Sequence, residues 1–533
     1  MNFYKMQSYT IEKYQPDIKN HPGLMKGNVD HLGELLLGHL RYGTQGKNNV
    51  EFCHPFIKRD TIPARNLALA GNFNLVNTEE LFSLINLEPG VFQKQSDLAA
   101  MMEVLHHFLV KADEAFPGQL DVAKVLKKAV PLFDGGFNFC GLTGNGNAFV
   151  MRDAHGIRPS YYYVNDDVIV AASERAAIRT AFNVGENEVQ ELMPGCALIV
   201  DAEGGYTIEQ IVEAKERKAC SFERIYFSRG SDEKIYKERK ALGRYLSEPV
   251  LKAIDYDLKN TIFSFIPNTA ETAFYGLLKG ADEYLKKIKI ERILSWGNNF
   301  DEEKLSEMIS RKIRFEKIAI KDVKLRTFIT EDSSRNEMVQ HVYDITYGTV
   351  RKGIDTLVVI DDSIVRGTTL RESIIRMLAR LEPKRIIVVS SAPQIRYPDC
   401  YGIDMSKMGD FIAFKAAIEL LYERKQEALL DDLLLKCKEL QRNNQLHTEN
   451  VVRQVYKQFT LEEISAKIAQ LITPKEINIP VDVIYQTIET LHLACPTNTG
   501  DWYFTGNYPT PGGNRVCNKA FMNYMEGKNV RGY

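Results

Sequence analysis

The chain has 533 residues, 44% hydrophobic and 26% charged, with a formal net charge of -2. That length calls for two or three domains, because single cores stop growing at ~250–300 residues, and the balanced charge argues against a nucleic-acid partner. No apolar run approaches the ~18–20 residues of a membrane helix. The opening Met1-Asn2-Phe3-Tyr4-Lys5-Met6-Gln7 lacks the apolar core of a secretory signal. Eight scattered cysteines without a C-x-x-C pair suit free thiols in a reducing cytoplasm, where the protein is expected.

Residues 1–217 read as a β-rich first domain. Short apolar or aromatic runs at Leu67–Ala70, Asn147–Arg152, Tyr161–Val164, Val168–Ala172 and Ala197–Asp201 are bounded by Gly, Asn and Asp turn signals and predict strands. Helical patterns fall at Asp97–Lys111 and Asp121–Phe133, so sheets covered by helices are expected. The Lys-rich Val212–Lys218 reads as a linker. Over 218–415 the pattern changes to strands at Thr261–Ile266, Arg292–Trp296, Thr356–Ile360 and Arg385–Ser391. Helices are predicted from about Glu271 and over Thr368–Leu381, and this alternation predicts a parallel sheet of βαβ units. Residues 416–533 read as a C-terminal extension, helical and charged to Ile472 and, in its last Gly-, Asn-, Pro- and Tyr-rich part, irregular.

The most informative stretch is Thr356–Thr369. Thr356–Ile360 is an apolar run with two valines and an isoleucine, as a buried parallel strand should be. Ligands of open α/β sheets bind beyond the carboxyl ends of strands, where Asp361 and Asp362 stand. Two adjacent carboxylates can accept bonds from vicinal ribose hydroxyls and hold Mg²⁺ through water. Ser363 to Thr369 then turn into a helix whose N-terminal N–H groups favour a phosphate. Gly367 admits close backbone approach, Thr368 and Thr369 offer hydroxyls, and Arg366 faces either the phosphate or solvent. A plain helix cap after a buried strand is the competing reading.

Val358-Val-Ile-Asp-Asp-Ser-Ile-Val-Arg-Gly-Thr-Thr369 resembles the phosphoribosylpyrophosphate (PRPP) motif of type I phosphoribosyltransferases, and its wording is that of the glutamine PRPP amidotransferase family. Seven further segments agree in order. They are Gly38-His-Leu-Arg41-Tyr-Gly-Thr44, Arg152-Asp-Ala-His-Gly156-Ile-Arg158-Pro159, Ala172-Ser-Glu174-Arg175-Ala176, Phe222-Glu-Arg-Ile-Tyr226-Phe-Ser-Arg229, Ser391-Ala-Pro393-Gln-Ile-Arg396-Tyr-Pro398, Tyr401-Gly-Ile-Asp404-Met405 and Phe504-Thr-Gly506-Asn-Tyr508-Pro509-Thr510. The resemblance implies an α+β and α/β protein: a four-layer αββα N-terminal-nucleophile glutaminase-like domain, then a type I phosphoribosyltransferase domain. The implied reaction makes phosphoribosylamine from PRPP and ammonia or glutamine nitrogen, the first step of de novo purine synthesis. The resemblance also implies Mg²⁺, purine nucleotides as feedback ligands and a homo-oligomer.

Carried over position by position, Asp361, Asp362, Ser363, Arg366, Gly367, Thr368, Thr369 and Arg326 would hold PRPP, with Asp361 and Asp362 also the metal ligands. Arg41, Gly71 and Asp97 would hold glutamine. The family's nucleophile is a Cys at the first mature position, with the free terminal amine as its base. This chain opens with Met1, and its first cysteine, Cys53, lies past the Gly38–Thr44 motif. The domain is therefore expected to lack its first strand and nucleophile, by truncation or by divergence. The family's His-Asn-Gly oxyanion stretch is Leu69-Ala70-Gly71 here, so a side-chain donor is missing. In the transferase half, Pro-Glu-Thr-Ser becomes Pro267-Asn268-Thr269-Ala270, and the basic part of the flexible loop becomes Glu331–Glu337, with Lys321 and Lys324 as nearby compensating cations. These losses also suit a non-catalytic PRPP or nucleotide sensor. Some relatives carry a 4Fe–4S cluster on four cysteines. Here Cys220 matches one ligand, Cys400 is displaced by one residue, and the C-x-x-C is Gly500-Asp-Trp-Tyr503, so no iron–sulfur cluster is expected.

Overall fold

The computed structural model describes residues 52–85, 96–297, 301–321, 343–403, 405–528 and 530–532, with short pieces at 21, 23–24 and 32–40. Among the described residues of the first half the strands are β1 (Phe56–Lys58), β2 (Leu67–Leu75), β3 (Gly135–Thr143), β4 (Ala148–Arg152), β5 (Tyr161–Val164), β6 (Ile169–Ala172), β7 (Gln190–Glu191), β8 (Cys196–Val200) and β9 (Tyr206–Gln210). One antiparallel sheet runs β1-β2-β3-β4-β8-β9 and a smaller one β6-β5-β7. The helices Asp97–Ala115 and Val122–Ala129 bury Leu98, Met101, Leu105, Val125 and Leu126 against the larger sheet. Its other face meets the smaller sheet through Tyr162, Leu192, Cys196 and Leu198. The helix Arg175–Phe182 closes the far side through Ile178. The described residues thus form the expected helix, sheet, sheet, helix stack. The expected loss of the domain's first strand concerns residues that lie outside the described ones.

The second half adds β10 (Thr261–Phe265), β11 (Ala319–Lys321), β12 (Tyr343–Ile345), β13 (Thr356–Asp361), β14 (Arg385–Ser390) and β15 (Val481–Tyr485). β10-β13-β14-β15 form a wholly parallel sheet, and β11 and β12 pair antiparallel. Leu357, Val358, Val359 and Ile360 are 0–1% exposed, which accounts for their unbroken apolar run. Over one face lie the helices Ser247–Ala253, burying Val250 and Leu251, and Glu271–Ser295, burying Phe274 and Leu277.

Three expectations are corrected here. Arg292–Trp296 is not a strand but the last turn of the helix Glu271–Ser295 and its cap. Its apolar residues mislead because Leu294 is a 74% exposed surface residue rather than a core one. The tail beyond 493 is not irregular: Pro511–Met525 is a helix with Pro511 in its first turn, a favoured place for proline. Finally, 416–533 is not an appendage. β15 completes the parallel sheet, the helix Ile412–Glu423 runs across the 415/416 boundary, and residues from Ile157 to Met522 share one core.

The two halves are joined by buried ion pairs built from the family-like segments. Arg158, 2% exposed, reaches Glu223 at 2.8 Å and the Tyr401 carbonyl at 2.6 and 3.0 Å. Arg175 binds Asp232 in a two-pronged pair at 2.7 and 2.8 Å. The Arg229 N–H donates to Glu174 at 2.7 Å.

The helices Glu233–Tyr245 and Glu271–Ser295 cross so closely that a Cβ on Gly276 would collide with the Lys240 carbonyl, and one on Gly243 with that of Ala273. Gly276→Ala should therefore lower the unfolding free energy by about 1–3 kcal/mol or more. An unchanged chemical-denaturation midpoint would refute this close crossing.

Candidate functional site

The end of β13 lies between two strands. Asp361 is in register with Ser390 of β14, and Ile360 with Phe265 of β10. The chain is pinned on leaving the sheet: the Ile266 N–H donates to the Ile360 carbonyl, and the Ser391 N–H to that of Asp361, both at 2.9 Å. The Ser391 hydroxyl donates to the Asp362 carbonyl at 3.1 Å. Asp361 Oδ1 accepts the Asp362 N–H at 2.9 Å, and the Ser363 hydroxyl donates to Asp362 Oδ1 at 3.0 Å. Two carboxylates are thereby fixed side by side at the carboxyl edge of a parallel sheet.

The loop beyond them is held from below. Ile364 is buried, and the Val365 carbonyl accepts the Ile412 N–H at 2.9 Å. Gly367 has φ +72°, a left-handed conformation that favours glycine. Its Cβ would also lie 2.9 Å from Ile472 and 3.3 Å from Ile412. The glycine therefore fits the loop onto two C-terminal helices. The helix starts at Thr368 and Thr369, both exposed, and passes through a π turn at Leu370–Ile374 into Ile375–Ala379. Arg366 is 55% exposed and binds Asp410 at 2.9 and 3.2 Å.

Burial, followed by the negative charge of Asp362, pushes the Asp361 carboxyl well above its ordinary value. The nearby Arg239 was not legible as part of this region. It is 6% exposed and donates to the carbonyls of Arg224 at 2.8 Å, Tyr226 at 3.1 Å and Ser228 at 2.7 Å. Burial lowers its pKa, and the charge of Asp362 is the largest influence opposing that. A sequence cannot show a cation tied to three carbonyls. A divalent cation fits the carboxylate pair, because two adjacent, mutually repelling carboxylates gain from a hard positive charge. Among the described residues no group of three or more acidic, His or Cys side chains forms a protein-only metal cage, so water and substrate oxygens would complete the coordination.

Of the other transferase positions, Ala270 is 1% exposed and stands at the N-cap of the helix Glu271–Ser295 without a capping side chain. Arg326, Lys324 and Glu331–Glu337 lie outside the described residues, as does the side chain of Lys321.

The glutaminase-like positions are less well assembled. Arg41 lies outside the described residues. Asp97 opens the helix Asp97–Ala115, where Oδ1 accepts the Leu98 N–H at 2.9 Å, and this helix packs on β2. Gly71 sits in β2, where a Cβ would meet the Asn138 carbonyl at 2.6 Å and Phe139 at 2.8 Å. Its N–H donates to Nδ1 of His54 at 3.3 Å. Next to it, Ala70 is fully buried. The His54 ring stacks on Phe73, 6.0 Å between centroids. Cys53, beside it, is exposed.

Comparison with known proteins agrees with this layout. A family profile described as a glutamine amidotransferase domain matches residues 54–180. The amidophosphoribosyltransferase of Bacillus subtilis is 29% identical over 407 residues, covering 75% of this chain and 74% of that one. The same enzyme of Archaeoglobus fulgidus is 26% identical over 392 residues, covering 73% and 74%. The solved glutamine PRPP amidotransferase of B. subtilis, complexed with ADP and GMP, superposes with a TM-score of 0.59 over 89% of this chain and 82% of its own, at 24% identity. A structure described as the allosteric regulatory enzyme of purine biosynthesis gives 0.60, over 89% and 81%, also at 24%. The fold is thus that of a glutaminase-type domain joined to a phosphoribosyltransferase domain.

The raised carboxyl at Asp361 has a consequence for stability. An acid whose folded pKa lies above its unfolded value of ~3.9 carries no penalty below that value. It carries the full penalty once pH exceeds the raised one. Asp361→Asn should therefore raise the thermal midpoint of the ligand-free protein near neutral pH, with the gain vanishing towards about pH 4. A variant no more stable than the parent at neutral pH would contradict the raised Asp361 carboxyl.

Proposed function

We propose that this chain, a homologue of the amidophosphoribosyltransferases, is a pentosyltransferase that makes phosphoribosylamine from PRPP. The observation that carries the reading is the carboxylate pair fixed at the end of β13 over a loop seated on the C-terminal helices. Asp361 and Asp362 accept the ribose hydroxyls. Ser363 to Thr369 surround the 5′-phosphate with backbone N–H groups and the hydroxyls of Thr368 and Thr369. Arg366, being paired with Asp410, acts at the rim, and Arg326 belongs to the loop expected to close over PRPP. Ammonia forms a bond to the ribose anomeric carbon as the bond to pyrophosphate breaks, and the attacking nitrogen then loses a proton to solvent. Fixed charges that act on the leaving pyrophosphate and the cationic ribosyl centre would supply most of the rate. Bound Mg²⁺, held by Asp361 and Asp362, would supply charge neutralisation for the pyrophosphate.

Arg41, Gly71 and Asp97 are the glutamine-side positions. Two features support a silent glutaminase here. Ala70 has no side-chain donor, and the Gly71 N–H is already engaged by His54. Ammonia, free or supplied by a partner, is then the nitrogen source. Purine nucleotides are the proposed feedback ligands, as a structural relative is complexed with ADP and GMP, and a homo-oligomer is the proposed assembly. The alternative, a non-catalytic PRPP or nucleotide sensor, is favoured by the loss of a hydroxyl at Ala270.

With PRPP, Mg²⁺ and ammonium, the purified protein should release pyrophosphate, whereas glutamine should yield no glutamate. Removing one preorganised polar group from such a site costs roughly 10²–10³ in rate, and Asp362→Asn should fall by that order. PRPP binding without pyrophosphate release would move the reading to the sensor.

A further inference from the structure

The three segments that carry the positions where some relatives hold an iron–sulfur cluster pack together here, but not through metal ligands. Cys220 is one of those positions. The residue preceding the displaced Cys400 is Asp399, and the other two positions are Gly500 and Tyr503. The Cys220 thiol and the Tyr503 hydroxyl are hydrogen-bonded at 3.3 Å, and both groups are fully buried. Asp399 Oδ1 accepts the indole N–H of Trp502 at 3.0 Å, and its Oδ2 accepts the N–H groups of Tyr401 and Ile403 at 3.0 and 2.6 Å. Gly500 forms an isolated parallel bridge with Cys220. Its N–H donates to the Ala219 carbonyl at 2.8 Å, and its carbonyl accepts the N–H and hydroxyl of Ser221 at 2.9 and 2.7 Å. Asn498 closes the set by donating to the Cys220 carbonyl at 2.9 Å.

This arrangement does not fit the cluster. Four thiolates are required, and only Cys220 is at a ligand position. Gly500 cannot regain a thiol by simple substitution, since a Cβ there would lie 2.7 Å from the Ala219 carbonyl, 2.6 Å from the Trp502 ring and against the Lys218 carbonyl. The volume is filled by Trp502, Tyr503 and Tyr401. Trp502 and Tyr503 have ring centroids 4.8 Å apart, and Tyr401 meets Trp502 edge-on at 4.9 Å.

We infer that a Tyr503–Cys220 and Trp502–Asp399 plug replaces the metal cluster as the cross-link of three segments. These are the lead-in to the transferase half at 219–222, the loop after β14 at 399–401, and the C-terminal segment at 500–503. Hydrogen bonds and ring packing do here what iron–thiolate bonds would do, so the tie needs no metal and contains no oxidisable inorganic sulfide.

The test has two arms on the full-length protein. Incubated anaerobically with ferrous iron, sulfide and dithiothreitol, then desalted, the wild type should retain no stoichiometric iron and show no broad visible absorption. In parallel, Tyr503→Phe and Trp502→Phe should each lower the thermal midpoint by a few degrees, and should increase amide exchange at Gly500 and Ser221. Stoichiometric iron with inorganic sulfide in the wild type would overturn the inference. So would unchanged midpoints and exchange in both variants.

Discussion

A guanidinium sealed inside the protein organises the rest. Arg158 comes from the glutaminase-like half and is 2% exposed, yet it reaches Glu223 of the transferase half and the carbonyl of Tyr401 beyond β14. Desolvating a cation costs several kcal/mol unless a carboxylate and well-placed acceptors meet it. Glu223 therefore has to sit where it does, at the start of the π-helical turn Glu223–Phe227. The main-chain carbonyls of this turn and its flank receive Arg239, a cation whose charge is favoured by Asp362. One buried charge thus fixes the join between the halves. Through the turn it also places the Arg239 guanidinium, whose charge Asp362 favours.

The site shows a division of labour between motif and scaffold. Asp361, Asp362 and Ser363 are fixed by bonds within the motif and to Ser391. The rest of the loop is shaped from outside. Ile412 takes the Val365 carbonyl, Asp410 draws Arg366 to the rim, and Ile412 and Ile472 press against Gly367. Thr368 and Thr369 remain exposed at the start of the helix, where hydroxyls can meet a phosphate.

What the sequence disclosed follows local physics. β5 was legible to the residue, and β13 to within one, because Tyr-rich and Val/Ile-rich runs bounded by turn residues have few other uses. The carboxylate pair was legible because its spacing follows from a strand end. The failures came where tertiary packing decides. Leu294 looked like core and is surface. Gly512 and Gly513 looked like loop, yet they are helical and small because Val76, Asp134 and Tyr508 crowd them. The partners of Arg158, Gly71 and Gly367 lie far away in sequence or in neighbouring elements that no local pattern announces. Arg152 and Arg158 suggested a functional motif. The structure uses Arg152 to tie together loops of the first half and Arg158 to bind Glu223 and the Tyr401 carbonyl at the seam.

The contact between Gly367 and Ile472, with β15 closing the sheet beside β14, bears on how the protein is made. Synthesis delivers the whole PRPP-like motif well before the segment that shapes it. Until Val481–Tyr485 emerges, β14 presents an open edge with Ile386, Ile387, Val388 and Val389, a template for unwanted strand pairing. A prematurely terminated chain would therefore carry every residue of the motif without the helix and strand that give the loop its form.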